Sequence, residues 1–292
     1  MEYLDLFFNA FLGTLDWTWR SICFDVPWTR NYFWGLVVIS LIIWGLELLF
    51  PWRKQQAILR KDFFLDGFYM FFNFFIFSIF ISGFYKIISK IAIDEFNISA
   101  NSIAIINLSS LSPLVQLLLF FVVLDFVQWV THIFMHRFSF LWRFHKVHHS
   151  VKEMGFAAHM RYHWMENILY KPLKTIGVML LGGFEPEQAY IVHFVAISIG
   201  HLNHANLKLD YGILRYVFNN PIMHLYHHAY HLPKEKNQGV NYGISLSVWD
   251  YLFGTNYIPD QNGSIELGFP GDEHVPEGFG KQFVHGFKSK NP

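Results

Sequence analysis

Histidine is the residue through which this 292-residue chain can do chemistry: it carries 16, and 14 of them lie between His132 and His231. They recur in four patterns: His132-x3-His136, His145-x2-His148-His149, His201-x2-His204 and His224-x2-His227-His228. Positions i, i+3 and i+4 share a helix face, so each group is expected to point a compact set of imidazoles in one direction. One His-x3-His pair arises easily by coincidence, whereas two His-x2-His-His clusters in one chain do not. Neutral imidazole suits iron, copper, zinc and nickel. About ten such ligands exceed the roughly six positions around one ion, so the pattern calls for two metal ions. The chain has no His-Glu-x-x-His, which removes a zincin-type protease, and no Glu-x-x-His, which removes the ferritin-like carboxylate site. Its lone cysteine, Cys23, excludes an internal disulfide, a multi-cysteine zinc site and a four-cysteine iron–sulfur cluster.

The elements that must position these histidines are apolar. Charged residues make up 15% of the chain, against roughly 25% in soluble domains. Aromatic residues make up 20%, with 33 phenylalanines. The 22 basic and 22 acidic residues cancel and form no basic block, which argues against nucleic acid as a partner. Residues 32–50, 63–85 and 111–135 each hold a single charge, Glu47, Asp66 and Asp125 respectively. A bilayer core needs about 20 apolar residues of helix, so all three read as membrane spans. Residues 1–30 contain Glu2, Asp5, Trp17, Trp19 and Trp28 and read as an interfacial segment, without a cleavable signal peptide. Arg53, Lys54, Arg60 and Lys61 follow the first span, and Arg137, Arg143, Lys146, Lys152 and Arg161 follow the third. By the positive-inside rule those loops, and the histidine cluster with them, face the cytoplasm.

A fourth apolar region, 176–200, is split by Gly182, Gly183 and Pro186. Its pieces, 176–181 and 189–200, are each too short to cross alone, so a re-entrant hairpin returning to the cytoplasmic side is expected. Ser112 and Pro113 read as a helix start, and the 19 residues from Pro113 to His132 cover about 28 Å, roughly one hydrocarbon thickness. Asp125 lies seven residues before His132, nearly two turns, on the same face. It either accepts a hydrogen bond from an imidazole or pairs elsewhere in the bundle. Asn220 and Pro221 start a short helix that must end near Pro233, leaving His231 at its fraying end. The reading is an all-α fold: a polytopic membrane helical bundle with a cytoplasmic histidine-rich helical cap. It divides into residues 1–110 (interfacial segment and two spans), 111–258 (histidine boxes) and 259–292 (an irregular Gly- and Pro-rich tail).

The boxes at His132/His136, His145/His148/His149 and His224/His227/His228 resemble those of the fatty acid hydroxylase/sterol desaturase superfamily. So do Asp125-FVQWVT-His132, the run Arg161-Tyr162-His163-Trp164-Met165-Glu166 and the run Trp249-Asp250-Tyr251-Leu252-Phe253-Gly254-Thr255. The resemblance spans about residues 110–258 and departs from the family pattern at Trp164, where proline is usual. It implies an integral-membrane di-iron enzyme that uses dioxygen to hydroxylate or desaturate a lipid or sterol from the bilayer. It favours His204 over His201 as a ligand, through His204-Ala205-Asn206, and adds His163, with Glu166 as its orienting partner. The expected ligands of two Fe2+ ions are then His132, His136, His145, His148, His149, His163, His204, His224, His227 and His228. Asp125, Glu166, His201, Asn241 and Asp250 are expected to support them. His159 is expected at the surface, His193 in a buried polar role, and His274 and His285 in solvent. Such sites are not iron-selective, so purified material can carry zinc. No nucleotide-binding fingerprint is visible, so electrons come from a separate donor. Two other readings are a metal transporter or storage protein and a membrane zinc hydrolase. Transport needs ligands through several spans, and the first two offer only Glu47, Asp66 and Asn73.

Overall fold

The computed structural model describes residues 2–98, 103–183, 186–259 and 265–287. It is mostly helical, with one two-residue parallel pair, β1 (Ile106–Asn107) and β2 (Leu181–Gly182). Among the described residues, three helical stretches are long and apolar enough to cross a membrane. The first is α2 (Tyr32–Leu49), whose N-cap Asn31 accepts a hydrogen bond from the Trp34 amide. The second runs 34 residues from α3 (Phe63–Phe71) through a π turn (Phe72–Ile76) into α4 (Phe77–Phe96). The third is α5 (Pro113–Arg137), opened by Pro113 at its first position.

The N-terminal segment read as interfacial is helical. It forms α1 (Glu2–Ile22), a 21-residue helix laid along α4. Phe7 meets Phe84 edge-on at 5.0 Å, Phe11 meets Phe80 at 5.6 Å, and Gly83 leaves room for the Phe7 ring. The helix runs on past the apolar stretch 63–85 as far as Phe96, and Lys90 bridges Glu2 and Asp94.

The hairpin differs in depth from expectation. Its arms are α7 (Trp164–Leu180, 17 residues) and α8 (Pro186–His204, 19 residues), about 26 and 28 Å long. Lys171, Lys174 and Glu187 lie inside these helices and make the apolar run look shorter than the helical one. The apex pairs with β1 just before α5, and Gln188 donates to Gln116 at 2.7 Å. The hairpin therefore reaches the level at which α5 begins, and both its outer ends return to the histidines.

One acid in each span ties the bundle to the cap. Glu47 of α2 accepts from the amides of Phe156 (2.9 Å) and Asn206 (2.7 Å). Asp66 of α3 pairs with Arg60 and, at 3.3 Å, with Arg161, which also bonds Asp62 at 2.9 Å. Asp125 of α5 accepts from the amides of Ser245 and Leu246 and from Trp249 Nε1 at 2.9 Å. The π turn has a matching use: it aims Asn73 so that Nδ2 donates to the carbonyls of Met160 and Tyr162.

The cap comprises α6 (Ser139–His149), a 3-10 turn (Phe156–Met160), α9 (Pro221–His227) and α10 (Val248–Leu252), joined by irregular chain. The described part of the tail, 265–287, folds over it with a short helix α11 (Phe279–Phe283) against Phe68, Tyr69 and Phe72. Trp164, where the family pattern has proline, donates to the Phe283 carbonyl at 2.8 Å and stacks on Phe283 and Phe287. It fastens the tail to the start of α7.

Candidate metal centre

Nine of the ten expected ligands converge in two adjoining buried groups. One holds His132, His136, His145, His149 and His227; the other holds His148, His204, His224 and His228, and within each the ligand nitrogens lie within 4.8 Å of one another. The boxes do not each serve one group. His148 and His149 fall in different groups, as do His227 and His228, because adjacent helical residues point about 100° apart. The groups touch along that seam, with His149 stacked on His228 at 4.3 Å.

The surroundings fix the tautomers. His132 Nδ1 donates to the Tyr242 carbonyl, His148 Nδ1 to Arg161, His204 Nδ1 to Gly200 and His227 Nδ1 to Val240, at 2.7–3.1 Å. His145 Nδ1 donates to Glu166 Oε2 at 3.1 Å. An imidazole whose Nδ1 carries the proton presents a lone pair at Nε2. Yet His132 and His145 bring their Nε2 atoms to 3.2 Å, and His148 and His204 theirs to 3.3 Å. Lone pair faces lone pair, so neither contact is a hydrogen bond. His204 and His224 Nε2 stand 2.9 Å apart. Nitrogens about 2.1 Å from one ion stand about 3.0 Å apart at right angles, so the observed spacing fits metal ligation. Buried nitrogens without partners point the same way: Nε2 of His136, His149 and His227, and both ring nitrogens of His228. Burial pushes His148 down to about 3 and holds His149, His224, His227 and His228 well below the ordinary imidazole value. Ligation requires that neutral form.

His163 is elsewhere. Its Nδ1 accepts from the Met165 amide and its Nε2 donates to the Phe283 carbonyl at 2.9 Å, so it caps α7 with no nitrogen left for a metal. Glu166 returns the capping box by accepting from the His163 amide, but its other oxygen holds His145, which corrects the partner expected for it. Asp125 touches no imidazole; its oxygens hold the 245–249 segment. Asp250 accepts from Trp129, Thr255 and the amides of Tyr242 and Gly243, and Asn241 Nδ2 donates to Met223 and Tyr257. Both thereby fix Tyr242, whose carbonyl holds His132.

His201 lies beside the second group, with its Nδ1 2.8 Å from His159 Nδ1. His159 is not at the surface: its ring centroid is 5.0 Å from that of His204. His159 was missed because its motif signal was only a His-x3-His with His163. His193 meets the Tyr32 hydroxyl at 3.2 Å, and His231 and His274 are exposed. Trp142 was also missed; it packs on His136 and His149 at the rim of the first group.

Apolar helices capped by two buried groups of imidazoles define a membrane protein whose histidines can hold metal. Residues 117–255 match the family model described as fatty acid hydroxylase, and this stretch is a domain of the fatty acid hydroxylase/sterol desaturase superfamily. It is 33% identical over 175 residues to the ornithine lipid hydroxylase of Rhizobium tropici, 60% of this chain and 51% of that one. It is 27% identical over 138 residues to the alkylglycerol monooxygenase of Caenorhabditis elegans, 45% of this chain and 25% of that one. A very-long-chain aldehyde decarbonylase of Oryza sativa subsp. indica is 28% identical over 162 residues, 52% of this chain and 59% of that one. The chain thus spans between a quarter and three-fifths of these relatives' lengths. No solved structure matches it significantly.

Proposed function

We propose that this protein is a multi-pass membrane oxygenase that uses two iron ions and dioxygen to hydroxylate a lipid. The observation that carries this is the pairing of a five-histidine and a four-histidine group with tautomers set to present lone pairs inward. His132, His136, His145, His149 and His227 would hold one ion, and His148, His204, His224 and His228 the other. Bound there, the two ions supply dioxygen activation and oxidation of an unactivated C–H bond.

The chain's own share is positional. Carbonyls of Arg161, Gly200, Val240 and Tyr242 and the Glu166 carboxylate lock the five rings whose Nδ1 they hold. Asp125 and Asp250 hold the loop that provides two of those carbonyls. The buried cluster excludes water, and the hairpin gives a lipid a route from the bilayer. Residues 111–258 form the working domain in this reading, with the first two spans tethering it through Glu47 and Asp66. The loop charges support a cytoplasmic cap, and electrons come from a separate donor.

The test combines metal counting with lipid mass spectrometry of cells with and without the protein. Two ions per chain and a lipid that gains one oxygen are expected. One ion or none, or no oxidised lipid, would overturn the reading; loss of two hydrogens would replace hydroxylation by desaturation.

A further inference from the structure

The two arms of the hairpin diverge. α7 packs on α5, and α8 on α5, α2 and the 3-10 turn, with little direct contact between them. The inner face of α8 is the stripe His193, Ile197, Gly200, His204. Its last three members are buried, yet His193 remains exposed although Tyr32 and Phe74 pack against its ring. The inner face of α7 carries Glu166, Tyr170, Lys174 and Gly177 at helical spacing. Glu166 and Gly177 are buried, and Tyr170 and Lys174 only half so. Half-buried Tyr170 and Lys174 on α7 and exposed His193 on α8 mark a cleft, across which Lys174 acts on His193 and His159. It ends at His159, half-buried above Gly200 and against the His204 ring.

The cleft has cations and no free anion. Lys174 lies over the Tyr170 ring at 5.3 Å, and Lys171 lies over Phe77 and bonds the Ser78 hydroxyl at 2.9 Å. Among the described residues no carboxylate pairs with either lysine. The carboxylates closest along these faces are committed, Asp125 to Ser245, Leu246 and Trp249 and Glu166 to His145 and His163. The remaining groups facing Lys174, His159 and His193, are imidazoles. Asp125 acts on Lys174 only from beyond ion-pair distance, and an ammonium within apolar helices that no carboxylate contacts is expensive and marks a ligand path. Helical side chains lean toward the N-terminus, which brings Lys174 back toward the metal centre. Its Cα stands eight residues, about 12 Å, along α7 from Glu166.

Building on the proposed lipid oxygenase, we propose that this cleft seats the acidic group of the substrate, with Lys174 as the recognising cation. The substrate is then an amphiphile bearing a carboxylate or a phosphate. The oxidised carbon lies within roughly 12 Å of that group, in the part of the lipid nearest its polar end.

The test is equilibrium binding to the full-length, zinc-loaded protein in detergent, with native mass spectrometry reading bound palmitate, hexadecyl phosphate and methyl palmitate at pH 8. At least one of the two acids is expected to bind ten-fold or more tighter than the uncharged ester, and whichever does so identifies the source of the anion. Lys174→Met should abolish the preference and Lys174→Arg should keep it, with two ions still bound in both variants. Equal binding of acid and ester by the unaltered protein, or a preference that survives in Lys174→Met, would overturn the assignment. Because binding is read without turnover, such a failure leaves the oxygenase reading to its own metal and lipid assays.

Discussion

Replacing Glu166 by alanine should weaken one metal site and spare the other. The Glu166 carboxylate accepts from His145 Nδ1 at 3.1 Å with both side chains almost fully buried. A hydrogen bond to a charged group is worth about 1.5–3 kcal/mol, and at about 1.4 kcal/mol per decade that is roughly a 10–150-fold loss in affinity. Loss of an outer partner of a ligating histidine typically costs about 10–100-fold, which agrees. The effect should fall on the five-histidine group alone, because Glu166 holds His145 and bonds no member of the four-histidine group, in which Arg161 and Gly200 orient His148 and His204. Removing the capping box adds a general destabilisation of about 1 kcal/mol, shared by both sites and visible as a lower melting temperature. Stepwise chelator competition with metal counting by native mass spectrometry separates the two effects. One ion should leave at a roughly 10–100-fold lower chelator concentration than in the unaltered protein, while the other is unchanged. If both ions left together, or neither moved, the two groups would not be independent sites and the role given to Glu166 would be wrong.

The remaining expectations are more direct. His163→Ala should keep both ions and lose about 1–2 kcal/mol of stability through the α7 cap and the Phe283 contact, whereas His227→Ala should lose an ion; metal content and melting curves distinguish them. Asp125→Ala strands three donors, Ser245 N, Leu246 N and Trp249 Nε1, and should cost about 3–5 kcal/mol in chemical denaturation with loss of metal, while Asp125→Asn should cost less. In chelator-stripped protein, stability should fall as pH drops below about 6.5, because unfolded histidines take up protons that the folded ones refuse, His148 down to about 3. The slope is up to about 1.4 kcal/mol per pH unit per buried histidine, and denaturation at pH 7.5 and 5.5 measures it; equal stability at the two values would refute the neutral-imidazole assignment.

The three spans and the histidine boxes could be read from the sequence because both signals are local: long apolar runs, and imidazoles at helical spacing. What could not be read depends on distant partners. His163 sits in a motif that suggests ligation, but the Phe283 carbonyl, 120 residues on, takes its Nε2, and the start of its own helix takes its Nδ1. Asp125 shares a face with His132, yet Trp249 and two amides claim it first. The length of the hairpin's first arm is masked in the sequence because Lys171 and Lys174 interrupt its hydropathy without interrupting its helix. The splitting of the boxes between two groups was accessible in principle, since the 100° step between adjacent residues already separates His148 from His149.

The irregular cap follows from the same hydrogen-bond accounting. A ligating imidazole needs an acceptor for its other nitrogen, and a helix has already spent its carbonyls on its own ladder. Free carbonyls come from chain that is not helical. Arg161 follows the 3-10 turn, and Val240 and Tyr242 flank Asn241, which is held at φ +50° by bonds to Met223 and Tyr257. The one helical acceptor, Gly200, lies in the last turn of α8 and serves His204 at that helix's end. Regular helices can therefore deliver the histidines but cannot orient them. The loops between the boxes do that, and one acid of each span fixes those loops against the bundle.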